Sequence, residues 1–121
     1  MSAATAEFFN ETKGVSLGSL IEVAGDSKTR NKGLLGRDGL DEGQGLWIVP
    51  CEAIHMFFMR FAIDVVYLDK SKRVVKIVPA LKPCRLSACL KAHSVLELPA
   101  GVAERTGTKP GDQLEMRREA A

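Results

Sequence analysis

A mainly β fold, a compact antiparallel barrel or jelly-roll-like sandwich carrying two short helices, is what this 121-residue chain predicts. Three observations lead there. Short aromatic or β-branched runs ("LWIVP", "IDVVYLD", "RVVKIVP", "SVLELP") recur between Gly, Pro and charged turn residues. Only two stretches, "GDSKTRNKGLLGRDG" and "AGVAERTG", read as helix, and both are short. The runs from Ile63 to Leu68 and from Val74 to Val78 are apolar enough to be buried on both faces in places, as a closed or nearly closed sheet allows.

The elements follow in order. Residues 1–15 are polar except for Phe8 and Phe9 and read as a loose, disordered arm. Residues 16–117 then form a single β-rich domain, with 118–121 a tail. "LIEVA" (Leu20 to Ala24) alternates as a first strand. In the first helix Asp26 or Ser27 caps the start, Gly36 ends it, and Gly33 weakens it, so packing through Leu34 and Leu35 must hold it. Gly33, Gly36, Gly39, Gly43 and Gly45 lead into the apolar strand "LWIVP" rather than a helix N-terminus, which marks them as turn glycines and not a phosphate loop. "IHMFFMRF" and "IDVVYLD" continue as strands, and "KSK" turns the second into "RVVKIVP" as a hairpin. "ALKPCRLSACLKAH" is a mixed loop before the strand "SVLELP". Gly107 ends the second helix, and "KPGD" places Pro110 and Gly111 as a type II turn requires, ahead of the last strand "QLEMR".

Charge and composition narrow the partners. With 17 basic against 15 acidic residues, the chain lacks the one-sided basic excess of a nucleic-acid binder. Lys70, Lys72 and Arg73 read as a solvated turn, Arg117 and Arg118 as a solvated tail. The opening residues have no signal-peptide pattern and no run approaches a membrane span, so the expected location is cytoplasmic with no membrane partner. Cys51, Cys84 and Cys89, an odd count in a reducing compartment, are expected as free, buried thiols. No cofactor is expected.

The stretch "IHMFFMRFAID" concentrates the chemistry-bearing side chains. His55, Met56, Met59 and Cys51 are metal-ligand types, but four extended residues would separate His55 from Met59 by about 13 Å, too far for one ion. No metal is therefore expected. Cys51 beside His55, or Cys84 and Cys89 beside His93, would need an adjacent base and a lowered thiol pKa that sequence does not supply. Arg60 and Asp64 share a strand face. A guanidinium entering an apolar sheet requires acceptors, for which Asp64, Glu97 and Asp112 are the candidates. They form either a polar network tying the barrel ends together or a pocket. The candidate ligand-binding set is thus His55, Met59, Arg60, Asp64, Glu97 and Asp112.

Those residues predict a small non-enzymatic domain that binds a small molecule or a protein through a polar cleft, as a monomer or weak dimer. The alternative is a small hydrolase-type enzyme using Asp64 or Asp112 with His55. A structural subunit of a larger assembly is a third possibility.

The order "TRNKGLLGRDGL", "GLWIVP", "IHMFFMRFAIDVVYLD", "RVVKIVPALKP", "SVLELPAG", "GTKPGD" resembles a widespread prokaryotic family, the domain of unknown function number 192. The resemblance runs over residues 29–116 and touches Arg30, Gly33, Leu34 and Arg37, then Met59, Arg60, Ile63 and Asp64, and finally Leu96, Glu97, Leu98, Gly101, Gly111 and Asp112. Ala62 departs from it, since relatives commonly carry proline there. The resemblance implies a β-rich barrel or jelly-roll-like sandwich and brings no catalytic residue, cofactor or substrate. Some relatives look exported.

Overall fold

The structure is a computed structural model and describes residues 4–118. Along these residues run β1 (Thr5–Asn10), β2 (Val15–Ala24), α1 (Ser27–Lys32), β3 (Gln44–Ile48), β4 (Ala53–His55), β5 (Ile63–Leu68), β6 (Val74–Leu81), β7 (Leu86–Ala88), β8 (Ser94–Pro99), α2 (Val102–Thr106) and β9 (Leu114–Arg118). Seven strands form one sheet in the order β6-β5-β8-β3-β2-β1-β9, and β4 and β7 form a separate pair. The large sheet curls into a half-barrel until its edge strands meet at one end. There the Val74 amide donates to the Asp112 carbonyl (2.9 Å) and the Leu114 amide to the Lys72 carbonyl (3.0 Å). The chain is mainly β with two short helices, as its sequence predicts.

Alternation along the strands sends side chains to two cores, one on each face of the sheet. Val66 and Leu68 of β5, Leu96 and Leu98 of β8 and Trp47 of β3 join Phe8, Ile21 and Leu114 in the first core. Ile63, Val65 and Tyr67, Val95, Leu46 and Ile48 point the other way, onto Leu34 and Met56. Every residue of β5 is consequently buried, whereas β6, at the sheet edge, is buried only in part. Small elements cover the second face. The β4–β7 pair is fastened there by the Tyr67 hydroxyl on Ser87 Oγ (2.8 Å) and by the Cys51 amide on the His93 carbonyl (2.9 Å).

Four expectations are corrected. Residues 5–10 are not a loose arm but strand β1, which lies between β2 and β9 and buries Ala6, Phe8 and Asn10. The sheet is not wholly antiparallel, because β2 and β3 pair in parallel: α1 and the glycine-rich segment bring the chain back to the same end before it re-enters the sheet. Helix α1 stops at Gly33 (φ 51°), three residues before Gly36, and Asp26 caps it through the Thr29 amide. Most consequential, "IHMFFMRF" is not a strand. Only Ala53–His55 are extended. A turn follows in which the Met59 amide donates to the Met56 carbonyl (3.2 Å) and Phe58 adopts φ 65°. Hydrogen bonds from the Met56 amide to Arg85 and from the Cys84 amide to Met56 hold that turn, so tertiary pairing overrides the β propensity of its aromatics. Phe57 and Phe58 face outward, with Phe58 87% exposed. The expected type II turn at "KPGD" is present: Gly111 has φ 96° and the Asp112 amide reaches the Lys109 carbonyl.

Candidate functional site

A cavity of about 350 Å³ opens on the second face of the sheet, between α1 and the segment after it, the end of β3, and β4. Its apolar wall includes Leu34, Ile48, Ile54 and Met59. The polar residues on its lining are few: Glu97 from β8, Arg30, Asn31 and Lys32 from α1, Cys51 and His55.

Glu97 is the group out of place in its surroundings. It stands opposite Leu46 on one neighbouring strand and Val65 on the other, both buried. It is itself only 5% exposed. No hydrogen bond or ion pair reaches its carboxyl group from the described residues, and loss of water alone raises it from the ordinary 4.5 to about 7. An acid so placed is only partly ionised at neutral pH and ionises further when a cation approaches. Removing a carboxylate from water without a partner costs several kcal/mol unless it stays neutral.

The surroundings of Glu97 limit what the cavity can do. Burial raises the Cys51 thiol, and the nearby Glu97 carboxyl adds to that. Its hydrogen is directed to the Ala53 carbonyl (3.1 Å), which is the state of an inert thiol and not of a nucleophile. His55 is exposed at the cavity mouth and stacks on Phe57, with ring centroids 5.5 Å apart. Arg30 directs its guanidinium to the carbonyls of Asp26 and Pro50 and to the Ser27 hydroxyl, with no carboxylate among these partners. Cys51, His55 and Met59 do meet at one cavity once the turn replaces the strand. Even so, among the described residues no three His, Cys, Asp or Glu side chains come close enough together to hold a metal ion.

Of the six residues singled out from sequence, the structure brings together three, His55, Met59 and Glu97. The other three lie elsewhere. Arg60 does not enter the sheet: it is exposed and pairs with exposed Asp38 (2.6 Å). Asp64 faces the first core and accepts from the amides of Ala80 (2.8 Å), Gly101 (3.2 Å) and Ala103 (2.8 Å), tying β6 and the start of α2 to β5. Asp112 accepts from Asn10 (3.0 Å), Lys13 (3.0 Å) and the Lys109 amide (3.0 Å). Burial would raise its carboxyl, but these donors outweigh burial and leave it lowered. A single cleft joining Arg60, Asp64, Glu97 and Asp112 is therefore not formed, and neither aspartate reaches the cavity that His55 lines. The acid–base pair required by the hydrolase alternative is not assembled. Arg30 and Lys32 are the charged site residues outside the set drawn from sequence, and Cys51, weighed as a ligand or nucleophile and set aside, also lines the cavity. Arg30 carried a signal, its place in the family-like segment "TRNKGLLG".

Comparison with known proteins agrees with this fold. Residues 9–116 match the DUF192 family, described as an uncharacterized ACR. A UPF0127 protein of Pyrococcus abyssi is 34% identical over 113 residues, covering 88% of this chain and 93% of its own. A UPF0127 protein of Thermococcus kodakarensis is 32% identical over 110 residues, covering 87% of this chain and 69% of its own. A crystal structure of a protein of unknown function from Novosphingobium aromaticivorans superposes with a TM-score of 0.79 at 25% identity, over 92% of this chain and 83% of that one.

Proposed function

This chain belongs to the DUF192 family, and we propose that it is a small non-enzymatic ligand-binding domain whose site is the cavity at Glu97. The observation that carries the reading is a buried carboxyl group, unpartnered among the described residues, on the wall of a cavity of about 350 Å³. Leaving that group dehydrated lowers stability, and a ligand donor is what would offset the cost. The cavity size suits a small molecule. The near-balanced charge of +2 argues for a small-molecule partner over a nucleic acid. A rigid sheet supports the site, and its other polar residues are not paired for proton or acyl transfer, which favours binding over catalysis. In this reading the protein works in the cytoplasm as a monomer or weak dimer, without a membrane or cofactor.

A fragment screen followed by amide NMR tests the proposal. Ala53, exposed on β4 at the cavity wall, offers a block that leaves both cores untouched. Fragments should shift the amides around Glu97, Ile48 and Ile54 and raise the unfolding midpoint. At a hundredfold excess over Kd the gain is about 2.7 kcal/mol. Ala53→Trp should keep the wild-type midpoint and lose the response. Shifts that map elsewhere, or survive in Ala53→Trp, would count against the cavity.

A further inference from the structure

Taking the cavity as the ligand site, on which this step rests, we infer that its occupant is a small zwitterion, with an ammonium or guanidinium directed inward to Glu97 and a carboxylate or phosphate directed outward to Arg30 and Lys32. Two observations define the ends. Inside, Glu97 is 5% exposed, is flanked across the sheet by Leu46 and Val65, and receives no hydrogen bond or ion pair from the described residues. Outside, α1 has no acidic residue in its first turn and contributes Arg30 and Lys32 to the cavity. Arg30 meets only carbonyls and a hydroxyl. The cavity thus presents one buried acid from the sheet and the positive side chains of Arg30 and Lys32 from α1, of which Arg30 has the N-cap carboxylate Asp26 as its acidic neighbour.

The titratable groups facing Glu97 supply no substitute for the inward cation. Cys51 is a neutral thiol bonded to Ala53. Tyr67 of β5 is raised by burial and donates to Ser87. His55 is stacked on Phe57 at the mouth. Arg30 and Lys32 line the cavity from α1, and Glu97 shows no lowering from either. A neutral ligand would leave the carboxyl protonated, and an anionic one would have no inward partner. A cation instead converts the carboxyl to carboxylate and sends its proton to solvent. Binding is then linked to proton release below about pH 7, and affinity rises roughly tenfold per pH unit up to that point and levels off above it.

The test uses the full chain and four probes: γ-aminobutyrate and O-phosphoethanolamine as zwitterions, butylamine as cation alone, and butyrate as anion alone. Titration calorimetry should rank either zwitterion above butylamine and show no binding of butyrate. Affinity for γ-aminobutyrate, which has no group of its own titrating in this range, should climb between about pH 5 and pH 7 and then flatten. Glu97→Gln should weaken the zwitterions by about 30-fold or more and abolish the pH dependence of γ-aminobutyrate binding. The Arg30→Ala, Lys32→Ala double variant should bring the zwitterions down to the level of butylamine. Fluorescence of the single tryptophan, Trp47, packed on Phe8 at 5.4 Å, checks that each variant is folded. Butyrate binding as tightly as the zwitterions overturns the inference, as does pH-independent binding. If none of the four binds while screened fragments still fill the cavity, the zwitterion inference falls and the ligand-site reading stands. If fragments also fail, both fall.

Discussion

Replacing Glu97 by glutamine isolates the energetic consequence of the buried acid. The unfolded chain ionises this group near the ordinary 4.5, the folded chain only at about 7. Between those values the unfolded state has released a proton that the folded state still holds, so stability falls as pH rises. The contribution is complete below 4.5, is lost progressively up to about 7, and stays lost above. At ~1.4 kcal/mol per pH unit, the interval amounts to about 3 kcal/mol. Glutamine is close in shape to the protonated acid and has no charge to release. Urea unfolding followed by Trp47 fluorescence should therefore give similar stabilities for the two proteins near pH 4.5. At about pH 8 the variant should be ahead by about 3 kcal/mol. Other carboxyl groups titrate in both proteins and cancel in the difference. A difference that stays constant across the range would refute the reasoning, because it would mean that Glu97 is already ionised and paired in the fold.

Further expectations concern the residues outside the cavity. Asp64→Asn places an amide donor against three backbone donors and should cost on the order of 3 kcal/mol. Hydrogen exchange should show α2 losing protection first, and a cost below about 1 kcal/mol would exclude the capping role. Asp112, lowered beneath the ordinary 3.8, stabilises the fold above that value and loses this effect as pH falls through its folded value. Asp112→Asn should thus be destabilised at neutral pH, and the gap to wild type in urea unfolding should shrink as pH falls below the ordinary 3.8. Arg60→Ala breaks a pair whose side chains are 59% and 89% exposed. It should change stability by no more than about 0.5 kcal/mol and leave ligand titrations unaltered; a larger loss would mean that Arg60 has a buried partner.

The parts of the fold legible in sequence are those where local pattern and tertiary outcome coincide. β5 and β8 announce themselves as largely apolar runs, each holding a single acid, because both of their faces are covered. α2 and the "KPGD" turn are legible because Gly107 (φ 69°) and Gly111 (φ 96°) occupy positions where the backbone turns left-handed. The failures have the opposite cause. "TAEFFN" alternates over only six residues at a chain end, and its strand exists because β2 and β9 flank it. The turn at Phe57 and Phe58 contradicts local preference, since a phenylalanine at φ 65° is disfavoured unless surrounding hydrogen bonds impose it.

The site divides in the same way. Glu97 was readable as a charged residue inside "VLELP", a pattern with no solvent-facing position in a fully buried strand. Asp64 has the same signature in "IDVVYL" but faces the opposite core, where backbone amides occupy it. Parity along each strand distinguishes the two faces, but only the path of α1 and β4 determines which face holds an open cavity. Arg30 was hidden for that reason, since it reaches the site only after the chain has folded back over β3.

Carbon-13 NMR of the Glu97 side-chain carboxyl, titrated with and without γ-aminobutyrate, addresses the account at its centre. A midpoint near 7 in the free protein, falling by more than about one pH unit on saturation, is the predicted result. A free midpoint near the ordinary 4.5, or one that saturating ligand leaves unmoved, would contradict it.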